Sequence, residues 1–261
     1  MDWGLIATGT LASFLAGQAT TAGALPVFFM RSISDRTQNA FLGFAAGIML
    51  AASFFSLIIP GLEAAGELHG GSKTIAALIV CSAVLLGAGT LHFLNRVAPH
   101  EHFTSGPMSG AERSKLARIW LFVIAISLHN FPEGLAVGVS FGSPDDTAGY
   151  ATAFGIGLQN VPEGLAVALS LAAAGYSRLF SFLIAVLTGL IEPIGGFLGI
   201  STVTLSSELL PWGLGFAGGA MIWVVSSEII PETHRDRNEG VATGALMVGL
   251  TVMMSLDWIF G

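Results

Sequence analysis

The feature that most constrains this chain is a succession of uncharged apolar runs, each roughly 20 residues long, the length a helix needs to cross about 30 Å of hydrocarbon at 1.5 Å per residue. They fall near 3–29, 40–60, 74–95, 119–141, 148–174, 179–203, 210–231 and 240–260. Inside a bilayer the backbone has no water to bond, so each run must satisfy its own donors and acceptors as a helix. The expected fold is all-α, a polytopic membrane protein with eight transmembrane helices. Only 10% of the residues are charged, against about 25% in a soluble domain. No Pro/Ser-rich linker or charge block separates two units, so 1–261 reads as a single transmembrane domain with one long connection at about 96–118.

Met1-Asp2-Trp3-Gly4 lacks the positive n-region of a signal peptide, and the first run is read as a span. Cys81 is the single cysteine, which leaves no intramolecular disulfide and no cysteine metal cluster. The loops after runs one, three, five and seven hold Arg31 and Arg36; Arg96, Arg113, Lys115 and Arg118; Arg178; and Arg235 and Arg237, whereas the opposite loops hold Lys73. Positive loops stay cytoplasmic, so both termini are expected outside, with 96–118 in the cytoplasm; the expected location is the cell (inner or plasma) membrane. The outer loops carry Glu63, Glu67, Asp145 and Asp146, which would modestly concentrate cations there. Small residues at helical spacing, Gly43 with Gly47 and Gly195-Gly196 with Gly199, are read as helix-packing positions.

A repeat singles out the middle of the chain. Leu128-His-Asn-Phe-Pro-Glu-Gly-Leu-Ala-Val137 in the fourth run recurs as Leu158-Gln-Asn-Val-Pro-Glu-Gly-Leu-Ala-Val167 in the fifth. Pro132 and Pro162 each remove a donor and are expected to kink their helices and free the carbonyls of Leu128 and Leu158. His129 and Gln159 stand four residues before Glu133 and Glu163, and Asn130 and Asn160 three before, so each set converges across one helical turn. The sixth run adds Glu192, directly before Pro193. A carboxylate at the centre of a membrane helix costs about 2.5–3.5 kcal/mol, so three ask for on the order of 8–10 kcal/mol unless neutralised. Between Arg118 and Arg235 the only Lys or Arg is Arg178, in a loop. Metal ions or protons must therefore compensate Glu133, Glu163 and Glu192. One divalent ion leaves the three at minus one and two leave them at plus one, so one or two ions per site are both open. Carboxylates with an imidazole suit Zn, Fe, Mn, Co or Cd better than Ca or Mg, and the absence of thiolates argues against copper(I). Gly134 and Gly164 are read as packing residues.

His129-Asn-Phe-Pro-Glu-Gly134, Gln159-Asn-Val-Pro-Glu-Gly164 and Glu192-Pro193 resemble the ZIP (Zrt/Irt-like protein) metal transporters over essentially the whole chain, and the short loops resemble bacterial members of the zinc-uptake type. The resemblance implies influx of divalent transition metals to the cytoplasm without ATP hydrolysis, with zinc (Zn2+) first and Fe2+, Mn2+, Co2+ and Cd2+ as further cargo. It also implies a homodimer in which a mobile helix group moves against a scaffold. Carried over, the metal ligands fall on His129, Asn130, Glu133, Gln159, Asn160, Glu163 and Glu192. Many members have a histidine where this chain has Gln159. Glu228, Glu232 and His234 resemble the family's seventh helix and are candidates for a relay, and His100, Glu101 and His102 for buffering released metal.

The rival reading is an intramembrane metal-dependent hydrolase, since a bound metal can activate water. No His-Glu-x-x-His helix and no separate general base supports it. Gly66 to Thr74 only approximates a phosphate loop, with Ser72 where glycine should precede Lys73, so ATP is not expected as a partner, nor is nucleic acid. The expected partners are metal ions and the lipid bilayer.

Overall fold

The computed structural model describes residues 2–30, 34–97, 110–143, 146–233 and 239–260. Arg31, His100, Glu101, His102, Asp145, His234, Arg235 and Arg237 lie outside the described residues, as do the side chains of Arg113, Lys115, Arg118, His129 and Asp146.

Helices make up the fold, and no strand occurs among the described residues. Helix α1 (Trp3–Ala24) begins where Asp2 Oδ1 accepts from the amides of Gly4 and Leu5, and it tightens into a 3₁₀ turn at Leu25–Phe28. Helix α2 (Asp35–Ala51), capped by Ser34, runs through a π segment (Ala52–Ile58) into α3 (Ile59–Leu68). There follow α4 (Lys73–Val97), α5 (Gly110–Ser140), α6 (Asp146–Ala173), α7 (Arg178–Gly189), α8 (Glu192–Leu205) and α9 (Leu209–Val224). A second π segment (Val225–Ile229) leads to α10 (Ile230–Thr233), and α11 (Glu239–Phe260) closes the chain. Among the described residues seven stretches are long and apolar enough to cross a membrane: Trp3–Phe28, Asp35–Leu68, Lys73–Leu94, Thr147–Ala173, Arg178–Leu205, Leu209–Thr233 and Glu239–Ile259. The 31-residue α5 is not one of the seven.

The sixth apolar run departs from the expectation of one continuous helix. It is interrupted at Leu190–Ile191 and restarts at Glu192. Pro193 has no N–H for the Gly189 carbonyl, and the chain closes instead with Ile191 N–H on Thr188 O (3.2 Å) and Ile194 N–H on Ile191 O (3.1 Å). Proline in the first turn of α8 then costs nothing, because that position has no intrahelical donor to lose. By contrast α5 and α6 run unbroken through Pro132 and Pro162.

The helices sort into two groups. One is α1, α5, α6, α7 and α8; in the other, α2 packs along α11 and α4 along α9, with α3 and the first π segment between them. Within each group glycines bring backbones into contact. A Cβ at Gly47 would strike the Leu246 carbonyl, and one at Gly195 the Phe131 carbonyl. The small residues of both sequence patterns are thus packing positions, as expected.

Loops assigned to one side meet each other. His69, after α3, lies 3.9 Å from Glu208, before α9. At the other end Arg178 donates to the Phe28 carbonyl, and Trp120 Nε1 donates to Tyr176 Oη at 2.8 Å within a cluster that includes Phe180. Amphipathic rings grouped at one end of a helix bundle suit the boundary between hydrocarbon and water.

Candidate metal centre

The repeated motif sits on adjacent helices, α5 and α6, and the break before α8 brings Glu192 to the same level. Asn130, Glu133, Gln159, Asn160 and Glu192 are completely buried, and Glu163 is 1% exposed. The side chain of His129, one residue before Asn130 on α5, lies outside the described residues. Spacing explains the convergence: residues three apart share a helix face, so Asn130 with Glu133 and Asn160 with Glu163 point inward together.

Glycine lets the three helices close on this point. A Cβ at Gly134, the residue after Glu133, would collide with the main-chain carbonyl of Glu192, and one at Gly164 with the carbonyl of Thr20. The small residue that ends each Pro-Glu-Gly element is thus what allows α8 and α1 to lie against the glutamates, in agreement with the packing role expected of both.

Two of the three glutamates accept from side-chain amides. Gln159 Nε2 donates to Glu133 Oε1, and Asn160 Nδ2 donates to Glu192 Oε1 at 2.7 Å and to the Ala16 carbonyl at 2.9 Å. Glu133 is close enough to feel the charges of both Glu163 and Glu192, and Glu192 that of Glu163. Among the described residues, no three His, Cys, Asp or Glu side chains are gathered closely enough to hold an ion by themselves. Amides stand between the acids, so a ligand sphere here needs both kinds of donor.

The arrangement leaves oxygens to spare. Asn130 Oδ1, Glu133 Oε2, Gln159 Oε1, Asn160 Oδ1 and Glu192 Oε2 are buried with no hydrogen-bond partner among the described residues. A buried acceptor costs roughly 1–3 kcal/mol when unsatisfied, and more when charged. The buried polar side chains among the described residues include no lysine or arginine, and Arg178 is exposed at the start of α7. A divalent cation supplies what such a set lacks, since carboxylate and carbonyl oxygens are its ordinary ligands.

Two features of the structure lie outside the sequence motifs. Ser56 in the first π segment donates to Asp257 Oδ1 of α11 at 2.6 Å, and Asp257 Oδ2 is buried with no partner among the described residues. Asp257 is acidic inside an apolar run, so the cost argument applied to the glutamates would have found it. Ser13 and the Ala16 carbonyl of α1 also touch the centre, and a lone serine in an apolar helix gives no such signal. Of the relay candidates, Glu228 falls in the second π segment and Glu232 in α10, both half-buried.

The chain is similar to several known proteins. The family model described as "ZIP Zinc transporter" matches residues 98–257. The chain is 46% identical over 254 residues to "Zinc transporter GufA" of Myxococcus xanthus, covering 97% of this chain and 99% of that one. It is 47% identical over 250 residues to "Zinc transporter ZIPB" of Bordetella bronchiseptica, covering 94% and 79%. Human "Zinc transporter ZIP11" is 33% identical over 327 residues, covering 95% of each. All are named as transporters, none as an enzyme.

Proposed function

Because the chain belongs to the ZIP zinc transporter family, we propose that it carries divalent transition metals into the cytoplasm, zinc first, with Fe2+, Mn2+, Co2+ and Cd2+ as further cargo. The ligands are His129, Asn130, Glu133, Gln159, Asn160, Glu163 and Glu192, near the bilayer midplane. The observation that carries this reading is the row of buried oxygens without a partner among the described residues, beside three buried glutamates and no buried cationic side chain among those residues. One or two ions bind at a time. Amide ligands make the site weaker than a closed zinc site of Cys and His, which suits an ion that must leave again.

In this reading α5 is the eighth span, both termini lie outside, and the chain is a single transmembrane domain that pairs as a homodimer in the cell membrane. Every candidate ligand belongs to α5, α6 or α8, all in one helix group. Movement of that group against the other carries the site with its ion from one face to the other without ATP.

The test is uptake into proteoliposomes of zinc, iron, manganese, cobalt, cadmium and magnesium, with and without a pH gradient. Saturable transition-metal uptake that Glu163→Ala abolishes, with expression and monodispersity unchanged, is the expected result. Uptake at the normal rate in Glu163→Ala would remove the centre from the pathway.

A further inference from the structure

Helix α1 carries none of the proposed ligands, yet its buried face meets the centre over two successive turns. Thr8 and Thr10 return their hydroxyls to carbonyls of their own helix, Gly4 at 3.0 Å and Ile6 at 2.7 Å, a common arrangement for a hydroxyl in a helix. Ser13 does otherwise. Completely buried, it donates across the interface to the main-chain carbonyl of Glu192 at 2.8 Å. One turn further on, the Ala16 carbonyl accepts from Asn160. Between these contacts and Thr20, Gly17 brings the α1 backbone so close that a Cβ there would collide with the Gly189 carbonyl and stand 3.4 Å from Glu192 Cβ.

Both contacts have a directional consequence. A carbonyl can only accept, so Ala16 decides which end of the Asn160 amide is which. The nitrogen faces α1 and Glu192, and Oδ1 is turned elsewhere, buried and without a partner among the described residues. Glu192 needs outside support for a different reason. It is the first residue of α8, directly after the break at Leu190–Ile191, so no continuous helix holds it from the N-terminal side. The Ser13 hydroxyl and the close approach of Gly134 together fix its peptide.

We infer that Ser13 is a positioning residue for the cargo site: acting from α1, it fixes the Glu192 peptide, while the neighbouring Ala16 carbonyl orients Asn160 to offer oxygen to the metal. This rests on the reading of Asn160 and Glu192 as ligands. Outer partners of this kind orient a metal's ligands, and losing one commonly weakens binding about 10–100-fold.

The experiment is cobalt(II) titration of the purified full-length protein, followed by the visible absorption of the bound ion and by thermal melting in detergent. Ser13→Ala is expected to melt within about 4 °C of wild type, which the loss of one buried hydrogen bond allows. It should bind cobalt about tenfold more weakly, with shifted absorption bands. Thr10→Ala, which removes a hydroxyl bonded only within α1, should alter neither. If Ser13 acts through Glu192, the Ser13→Ala/Glu192→Ala double variant binds no more weakly than Glu192→Ala alone. Wild-type affinity and spectrum in Ser13→Ala would overturn the proposal, as would losses that simply add. A Ser13→Ala protein melting far below wild type would make the hydroxyl a structural tie and overturn it too. Glu163→Ala separates the two levels of inference: cobalt binding unaffected by that change means the centre itself is misplaced, and the role of Ser13 falls with it.

Discussion

At the scale of the residue, Gln159 is where this chain differs most informatively from a site built on histidine. Its nitrogen is committed to Glu133, and its Oε1 is buried with no partner among the described residues. A side-chain amide offers a metal only a neutral, hard oxygen. An imidazole at the same place could keep a donor toward Glu133 and present nitrogen, which zinc and cadmium prefer more strongly than manganese does. Gln159→His is therefore expected to raise the zinc-to-manganese uptake ratio on the order of tenfold, equivalent to about 1.4 kcal/mol of differential binding. Competition between the two ions in proteoliposomes measures it, and an unchanged ratio would take Gln159 out of the ligand sphere. The glutamates were legible in the sequence because a membrane carboxylate with no cation nearby has few structural excuses. Ser13 was not, because only the fold reveals that its hydroxyl leaves its own helix.

The elements show the same division between what composition encodes and what packing decides. Apolar length located the helices, but the run at 40–60 understates a helical stretch that extends from Asp35 to Leu68. Asp35, Arg36, Glu63 and Glu67 emerge from the apolar region while still helical, and hydropathy cannot see that continuation. Pro132 and Pro162 lie within unbroken helices, whereas Pro193, whose effect was not anticipated, coincides with the break that delivers Glu192. The π segments had no sequence signal at all. Where backbones touch, side-chain volume becomes decisive. In Gly134→Ala the new methyl meets the Glu192 carbonyl, and in Gly164→Ala the Thr20 carbonyl, so the helices must separate at the centre itself. Overpacking of this kind costs about 1–3 kcal/mol. Both variants should melt lower in detergent and lose most uptake. Gly244→Ala is the matched control, since nothing stands within 4 Å of its added methyl. Removing a helix-interior glycine there should leave stability equal or raised by up to about 1 kcal/mol. Equal melting of all three variants would contradict the packing assigned to the motif glycines.

For the whole molecule, the closest glycine-to-backbone contacts among the described residues all fall within one or other helix group. Inside a group, glycine sets backbone on backbone: Gly47 on Leu246 in one, Gly134 on Glu192 in the other. Across the boundary, the space beside Gly155 of α6 is filled by the Met253 side chain of α11, and that beside Gly213 of α9 by the Val139 side chain of α5. Backbone contacts interlock and resist sliding, while a boundary lined by side chains, one of them a flexible methionine, can repack as two bodies shift. If the group holding Glu133, Glu163 and Glu192 must move to carry an ion across, tying it to the other group should stop transport. Met253 Cγ lies 3.8 Å from a Cβ built at Gly155, so a cysteine sulfur in place of that carbon is near bonding reach of a cysteine at 155. In a Cys81→Ser background, oxidation of Gly155→Cys/Met253→Cys is expected to abolish uptake, and reduction to restore it. Gly61→Cys/Leu214→Cys supplies the comparison within one group, where the Cβ at 61 stands 3.3 Å from that of 214. That cross-link should leave uptake unchanged. Full uptake by a completely cross-linked 155–253 protein would mean that ions pass through a static path between the helices, and the two groups would then be a packing arrangement with no part in transport.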